Sequence, residues 1–137
     1  MATKRIDKAT WDELAQAALA ARKGAYAPYS RFKVGAALLL DTTPREIITG
    51  CNVENSSYGL TICAERTAIA HAVSRGEQNF LAIAIASKGN DPAPPCGMCL
   101  QVLVEFCDDI EILLVGAAGA RVKTRLSRLI TKPFRLR

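Results

Sequence analysis

Apolar residues fall on one stripe between residues 11 and 22: Trp11, Leu14, Ala15, Ala18 and Leu19 recur at three- and four-residue steps, with Arg22 in register. This spacing predicts an amphipathic helix over 11–23. Thr10 and Glu13 form a T-x-x-E capping box at its start, and Gly24 stops it. After a loop at Tyr26–Ser30, Val34 to Leu40 is apolar without alternation, the pattern of a strand buried on both faces. Asp41-Thr42-Thr43-Pro44 is a turn, and Glu46 to Cys51 is a second strand, so the pair reads as an antiparallel hairpin. Asn52 to Thr61 is polar and loop-like. A helix follows from Cys63 to Ser74, ended by Gly76. Phe80 to Ala86 is a third strand, Ser87 to Pro95 a loop, and Gly97 to Cys107 a further helix. Ile110 to Val115 and Ala120 to Arg125 are strands, and Leu126 to Ile130 is a short last helix. The order α-β-β-α-β-α-β-β-α implies partly parallel pairing and a sheet covered by helices.

The length of 137 residues suits one domain over 1–137, and half of the residues are hydrophobic against 23% charged, a globular balance that needs no disulfide staples. The formal charge of +5 raises the question of a nucleic-acid partner. The basic residues are dispersed, however, with their main cluster scattered from Arg121 through Lys123, Arg125, Arg128, Lys132 and Arg135 to Arg137. No stretch interleaves them with aromatics as a single-strand binder would, so they read as a solvated surface. Met1 to Thr10 lacks the apolar core of a secretory leader, and no apolar run is long enough to span a bilayer. Five cysteines, an odd number, do not form a disulfide framework. The expectation is a cytoplasmic protein whose cysteines are free for metal or catalysis.

Candidate chemistry concentrates in Cys63-Ala64-Glu65 and Pro95-Cys96-Gly97-Met98-Cys99. Cys96 and Cys99 at the start of one helix can chelate an ion, and Cys63 arrives from the start of another. Helix N-termini favour thiolates. Three thiolates can bind Zn²⁺, and a set of three rather than four leaves a position for water, as catalytic zinc sites do. Glu65 projects near the metal without having to bind it and can carry protons between water and substrate. The excess negative charge of three thiolates calls for a cation, and Arg66 is the candidate. Taken alone, Cys96 and Cys99 read more readily as a redox pair, as half of a structural zinc site or, for Cys99, as a core residue than as catalytic zinc ligands. His71 falls mid-helix as a surface or packing residue, and Cys51 and Cys107 read as structural.

The combined pattern C-x-E…P-C-x-x-C matches the zinc-deaminase signature with cysteine in the place of histidine. With it, four blocks resemble the cytidine deaminase family of the short, homotetrameric type: Tyr29-Ser-Arg-Phe-Lys-Val-Gly-Ala-Ala-Leu38, Gly50-Cys-Asn-Val-Glu-Asn55, Tyr58-Gly-Leu-Thr-Ile-Cys-Ala-Glu-Arg-Thr-Ala68, and Pro95-Cys-Gly-Met-Cys99 with Gln101-Val102. The resemblance covers the chain from Ala25 to Phe134. It implies an α/β fold of three layers, a mixed five-stranded sheet with helices on both faces. It implies one Zn²⁺ per subunit held by Cys63, Cys96 and Cys99, with Glu65 as catalytic proton shuttle and Arg66 balancing charge. It implies a nucleoside substrate in a homotetramer with shared active sites: Asn52 and Glu54 on the ribose 3′-hydroxyl, Phe32 on the pyrimidine, Phe134 lining the site, and Tyr58 reaching a neighbouring subunit's pocket. The reaction implied is hydrolytic deamination of cytidine and deoxycytidine in pyrimidine salvage. Two positions depart from the family: Leu100 stands where an arginine is usual, and Leu129-Ile-Thr-Lys-Pro-Phe134 replaces a Leu-Leu-Pro-x-x-Phe type of ending. Two other readings are an editor of cytosine in RNA or DNA, and a non-enzymatic zinc module or thiol redox protein.

Overall fold

Asp7, rather than Thr10, opens the first helix. Its carboxylate accepts a hydrogen bond from the Thr10 backbone N–H at 2.9 Å, which satisfies an amide that the first turn leaves unpaired. Helix α1 is therefore Lys8–Arg22, starting earlier than the Thr10–Glu13 pattern predicts. Asp is as good an N-cap as Thr, and the earlier start also brings Lys8 within 2.8 Å of Asp12. These coordinates are a computed structural model, and the structure describes residues 4–136. Residues 1–3 of the polar N-terminal stretch and Arg137 of the basic C-terminal scatter lie outside them.

Strands β1 (Gly35–Leu40) and β2 (Ile47–Cys51) form the predicted antiparallel hairpin, with Ala36 opposite Gly50. Every residue of β1 is buried. Helix α2 is Ala64–Ser74, with Cys63 at its N-cap. It ends in a Schellman arrangement: Gly76 takes a φ of +87°, its N–H donates to Val73 O, and Glu77 N–H donates to Ala72 O. Strand β3 (Phe80–Ser87), helix α3 (Gly97–Phe106) and strand β4 (Glu111–Gly116) form one crossover unit, with β3 and β4 parallel. Strand β5 (Arg121–Arg125) and the single turn of α4 (Leu126–Leu129) complete the chain. The loop after β2 carries one feature that periodicity does not predict, a 3-10 turn at Tyr58–Leu60.

The five strands lie in the order β2-β1-β3-β4-β5, and only β3 and β4 are parallel. Side chains alternate between the two faces of the sheet. Ala37, Leu39, Ala84 and Leu113 meet α1 through Trp11, Leu14, Ala15 and Ala18. Ala36, Leu38, Ile83, Ile85 and Ile112 meet α2, α3 and α4 through Ala68, Ile69, Leu103, Val104 and Leu126. The sheet is thus the middle of three layers. Among the described residues, no helix is long and apolar enough to cross a membrane.

Glycine permits a close approach in this packing. A Cβ on Gly50 would lie 2.8 Å from Ala64 O and closer still to Ala68 N, so α2 sits directly on the β2 backbone. At the other edge, the cations of β5 are each engaged. Arg121 pairs with Asp12 at 2.7 Å, Arg125 pairs with Asp109 at 2.9 Å, and the Lys123 ammonium lies 4.5 Å from the Trp11 ring centroid. A charged edge strand of this kind resists pairing with other chains.

Register decides where the site lies. Gly35 is opposite Cys51 on one side and Ala86 on the other. The segment before β1, the loop after β2 and the loop after β3 therefore gather at one end of the sheet. The N-termini of α2 and α3 open from two of these loops.

Candidate active site

Cys63 and Cys96 are the N-cap residues of α2 and α3, and Cys99 lies in the first turn of α3. Their sulfurs all lie within 4.8 Å of one another. Cys63 Sγ is 4.0 Å from Cys96 Sγ, which is 3.6 Å from Cys99 Sγ. Three thiolates at tetrahedral corners around zinc would be about 3.8 Å apart, given Zn–S bonds of about 2.3 Å. The donor set therefore fits a zinc ion with little rearrangement, and all five cysteines of the chain are free.

The electrostatics of the cluster centre on Cys63. A hydrogen bond from the Cys99 thiol and the neighbouring Arg66 guanidinium lower its pKa to about 5. Cys99 is pushed the other way, by its bond to the Cys63 thiolate and then by burial. Metal binding requires the thiols to lose their protons, and the Arg66 guanidinium beside Cys63 favours that loss there. Arg66 Nη2 lies 3.4 Å from Cys63 Sγ and 3.4 Å from Thr61 O. Among the described residues, no other ammonium or guanidinium hydrogen-bonds the three sulfurs. Leu100 explains why: it is buried in the core with Leu103 and Val104, so its position on α3 supplies packing and no charge. Arg66 is thus the one cationic side chain among the described residues that reaches the sulfurs.

Glu65 follows the N-cap of α2 by two residues and is 4% exposed. Desolvation raises its pKa, and the Cys63 charge adds to the effect. A carboxyl held above its ordinary range is suited to receive a proton and give it back. It faces a pocket of about 270 Å³. The walls are apolar at Phe32, Val34, Ile85 and Pro94, and polar at Ser30, Asn52, Glu54, Thr61 and Glu65, and Cys63 and Cys96 also line it. The pocket is lined by two carboxylates and no cation.

The predicted sugar and base contacts form a linked set. Asn52 is buried; its Oδ1 accepts from Val34 N at 2.8 Å and its Nδ2 donates to Phe32 O at 2.8 Å. Glu54 Oε1 accepts from the N–H groups of Tyr29 (2.9 Å) and Ser30 (3.1 Å), and Oε2 accepts from the Ser30 hydroxyl. These bonds, led by that from Ser30, lower the Glu54 pKa. Both side chains therefore hold the Tyr29–Val34 segment, and with it Phe32, against the pocket.

Two predicted site residues lie elsewhere. Tyr58 is 75% exposed and packs edge-on to Tyr29, with ring centroids 6.1 Å apart. It lines a neighbouring groove with Glu54, Asn55 and Thr61. Phe134 is 70% exposed and does not line the pocket. Its carbonyl accepts from Gln101 Nε2, and the next residue, Arg135, caps α3 by donating to Val104 O and Cys107 O. His71 is exposed on α2, its ring nitrogen 3.3 Å from Thr49 O, away from the sulfurs. Cys107 is buried in the core, where burial raises its pKa to about 11. Sequence reasoning assigned no role to Ser30, Thr61 and Pro94. Their signal was adjacency: each lies in or beside a block already singled out.

The sequence model of the "Cytidine and deoxycytidylate deaminase zinc-binding region" family matches residues 9–115. The chain belongs to the cytidine deaminase family. A cytidine deaminase of Halalkalibacterium halodurans is 46% identical over 122 residues, which cover 88% of this chain and 91% of that one. The crystal structure of cytidine deaminase from Burkholderia pseudomallei superposes with a TM-score of 0.84 at 44% identity, covering 90% of this chain and 98% of the other. That from Mycobacterium tuberculosis superposes at 0.79 with 40% identity, covering 96% and 100%. Zinc is the metal of this deaminase family, one ion per chain, and the three-sulfur donor set agrees with it.

Proposed function

We propose that this chain hydrolyses the 4-amino group of cytidine and deoxycytidine, giving uridine or deoxyuridine and ammonia. The observation that carries the reading is the cluster of three thiols at two helix N-termini, bordering a pocket that holds the buried Glu65. Three protein ligands, Cys63, Cys96 and Cys99, leave a coordination position for a reactant. When bound, zinc supplies an acidified water as the nucleophile.

Glu65 does the proton work. It takes a proton from the attacking water as oxygen bonds to C4, and delivers that proton to N3. It next takes the hydroxyl proton from the tetrahedral C4 centre and passes it to the amino nitrogen. The C4–N bond breaks, its electron pair leaves with ammonia, and N3 keeps its proton in the product. Phe32 packs on the pyrimidine ring, and Asn52 and Glu54 take the ribose 3′-hydroxyl. Arg66 offsets the thiolate charge, which would otherwise oppose ionisation of the water.

The pocket also supports a nucleoside over a nucleotide. Its lining carboxylates, Glu54 and Glu65, would repel a 5′-phosphate, and among the described residues no lysine or arginine lines it. Tyr58 and Phe134 point to a shared site. Both are exposed aromatics outside the pocket of their own chain; in a homotetramer Tyr58 would reach the pocket of a neighbour, and Phe134 would line a site completed by the assembly. The further parts of the reading are one domain over 1–137 and a cytoplasmic role in pyrimidine salvage. Ammonia release should be compared for cytidine, deoxycytidine, deoxycytidine 5′-monophosphate and a cytosine-containing oligonucleotide. The two nucleosides should be turned over at least about a hundredfold more efficiently, a difference of about 2.7 kcal/mol in transition-state binding. Equal or better turnover of the nucleotide or oligonucleotide would overturn the nucleoside assignment.

A further inference from the structure

Glu54 is held unevenly. Its Oε1 accepts from two backbone amides, those of Tyr29 and Ser30. Its Oε2 has one protein partner among the described residues, the Ser30 hydroxyl. That hydroxyl also accepts from Phe32 N at 3.0 Å. Between Ser30 and Phe32, Arg31 takes a φ of 59° in the left-handed region, so the chain turns sharply at this point. Ser30 and Glu54 both line the pocket. The two amides anchor one carboxylate oxygen whatever side chain stands at position 30. Only the serine hydroxyl fixes the rotation of the carboxylate about that anchor, and so the direction of the lone pairs left for a ligand.

We propose that Ser30 is a positioning residue that sets the orientation of the Glu54 carboxylate for the substrate's 3′-hydroxyl. The proposal rests on the deaminase reading and deepens it. A hydroxyl accepted by a carboxylate is a charge-assisted bond, sensitive to direction. Losing its alignment weakens substrate binding and leaves the chemical step at C4 intact.

The test measures kcat and KM for the wild type, Ser30→Ala and Ser30→Thr, on cytidine and on 3′-deoxycytidine. Ser30→Ala should lower kcat/KM on cytidine about tenfold, the scale of one hydrogen bond to a charged group. The loss should appear in KM, with kcat within about twofold of the wild type. On 3′-deoxycytidine, which has no hydroxyl for Glu54 to accept, kcat/KM should change less than about twofold. Ser30→Thr, which keeps the hydroxyl, should restore cytidine turnover. Equal losses on both substrates, or a loss in kcat alone, would show that Ser30 acts through Phe32 or the general loop structure and overturn the proposal. Unchanged KM for cytidine in Ser30→Ala would do the same. Wild-type turnover of cytidine in the same assay reports separately on the deaminase reading, so the two failures are distinct.

Discussion

Glu65 is a carboxyl group that folding has moved out of water and placed beside a thiolate, and both circumstances raise its affinity for a proton. A group so tuned can take a proton and release it within one turnover. Glu65→Gln keeps the shape and the three sulfurs but cannot carry a proton. It should retain one zinc per chain by metal analysis while kcat falls about 10²- to 10⁴-fold. At this scale much of the site was legible. The spacing of Cys63, Glu65, Cys96 and Cys99 identified residues that the fold brings together, and Arg66 Nη2 lies 3.4 Å from Cys63 Sγ. The bond from Asn52 to Phe32 O, and those that Asn52 accepts from Val34 N and Glu54 accepts from Ser30, were not legible. They join segments about twenty residues apart in sequence, and only the sheet register brings those segments together.

Each strand and helix was found near its predicted place, because its pattern is strong: the unbroken apolar run of β1, the Gly76 stop of α2, the Pro95-Cys96 start of α3. The start of α1 was displaced because Asp7 and Thr10 compete for the same cap and the choice depends on geometry. The 3-10 turn at Tyr58–Leu60 was missed because its flanks are fixed by bridges from Val53 to Tyr26 and to Ile62. Close packing of α2 on β2 makes Gly50 a sensitive position. Gly50→Ala places a methyl group against the backbone of Ala64 and Ala68. It should lower stability by about 1–3 kcal/mol, read as a fall in the urea midpoint. At the opposite edge, Asp109 accepts from Arg125 Nε, Ser127 N and Ser127 Oγ. Partial burial opposes ionisation, but these bonds outweigh it and hold the carboxyl below its ordinary pKa of 3.8. A lowered folded-state pKa contributes stability above the unfolded value, and that contribution is lost as pH falls through the folded one. Thermal stability should therefore drop below about pH 4, and Asp109→Asn should flatten that acid limb.

At the scale of the whole molecule, three layers bring two helix N-termini to one end of a sheet, where their dipoles favour the thiolate charge that a zinc site needs. The element order predicted a sheet covered by helices, and the family resemblance implied the three layers. The sheet order did not follow from it, because the pairing of β1 with β3 depends on long-range register. The exposed aromatics Tyr58 and Phe134 are consistent with the proposed homotetramer. Sedimentation should give the mass of four chains, and a monomer at working concentration would remove the shared-site reading. The central claim is that zinc held by three cysteines makes this chain a cytidine deaminase. The most direct test follows the loss of cytidine ultraviolet absorbance as zinc is returned to chelator-stripped protein. Activity should be absent from the stripped protein and rise to a plateau at one zinc per chain. Full turnover without metal, or no turnover at one bound zinc per chain, would contradict the account.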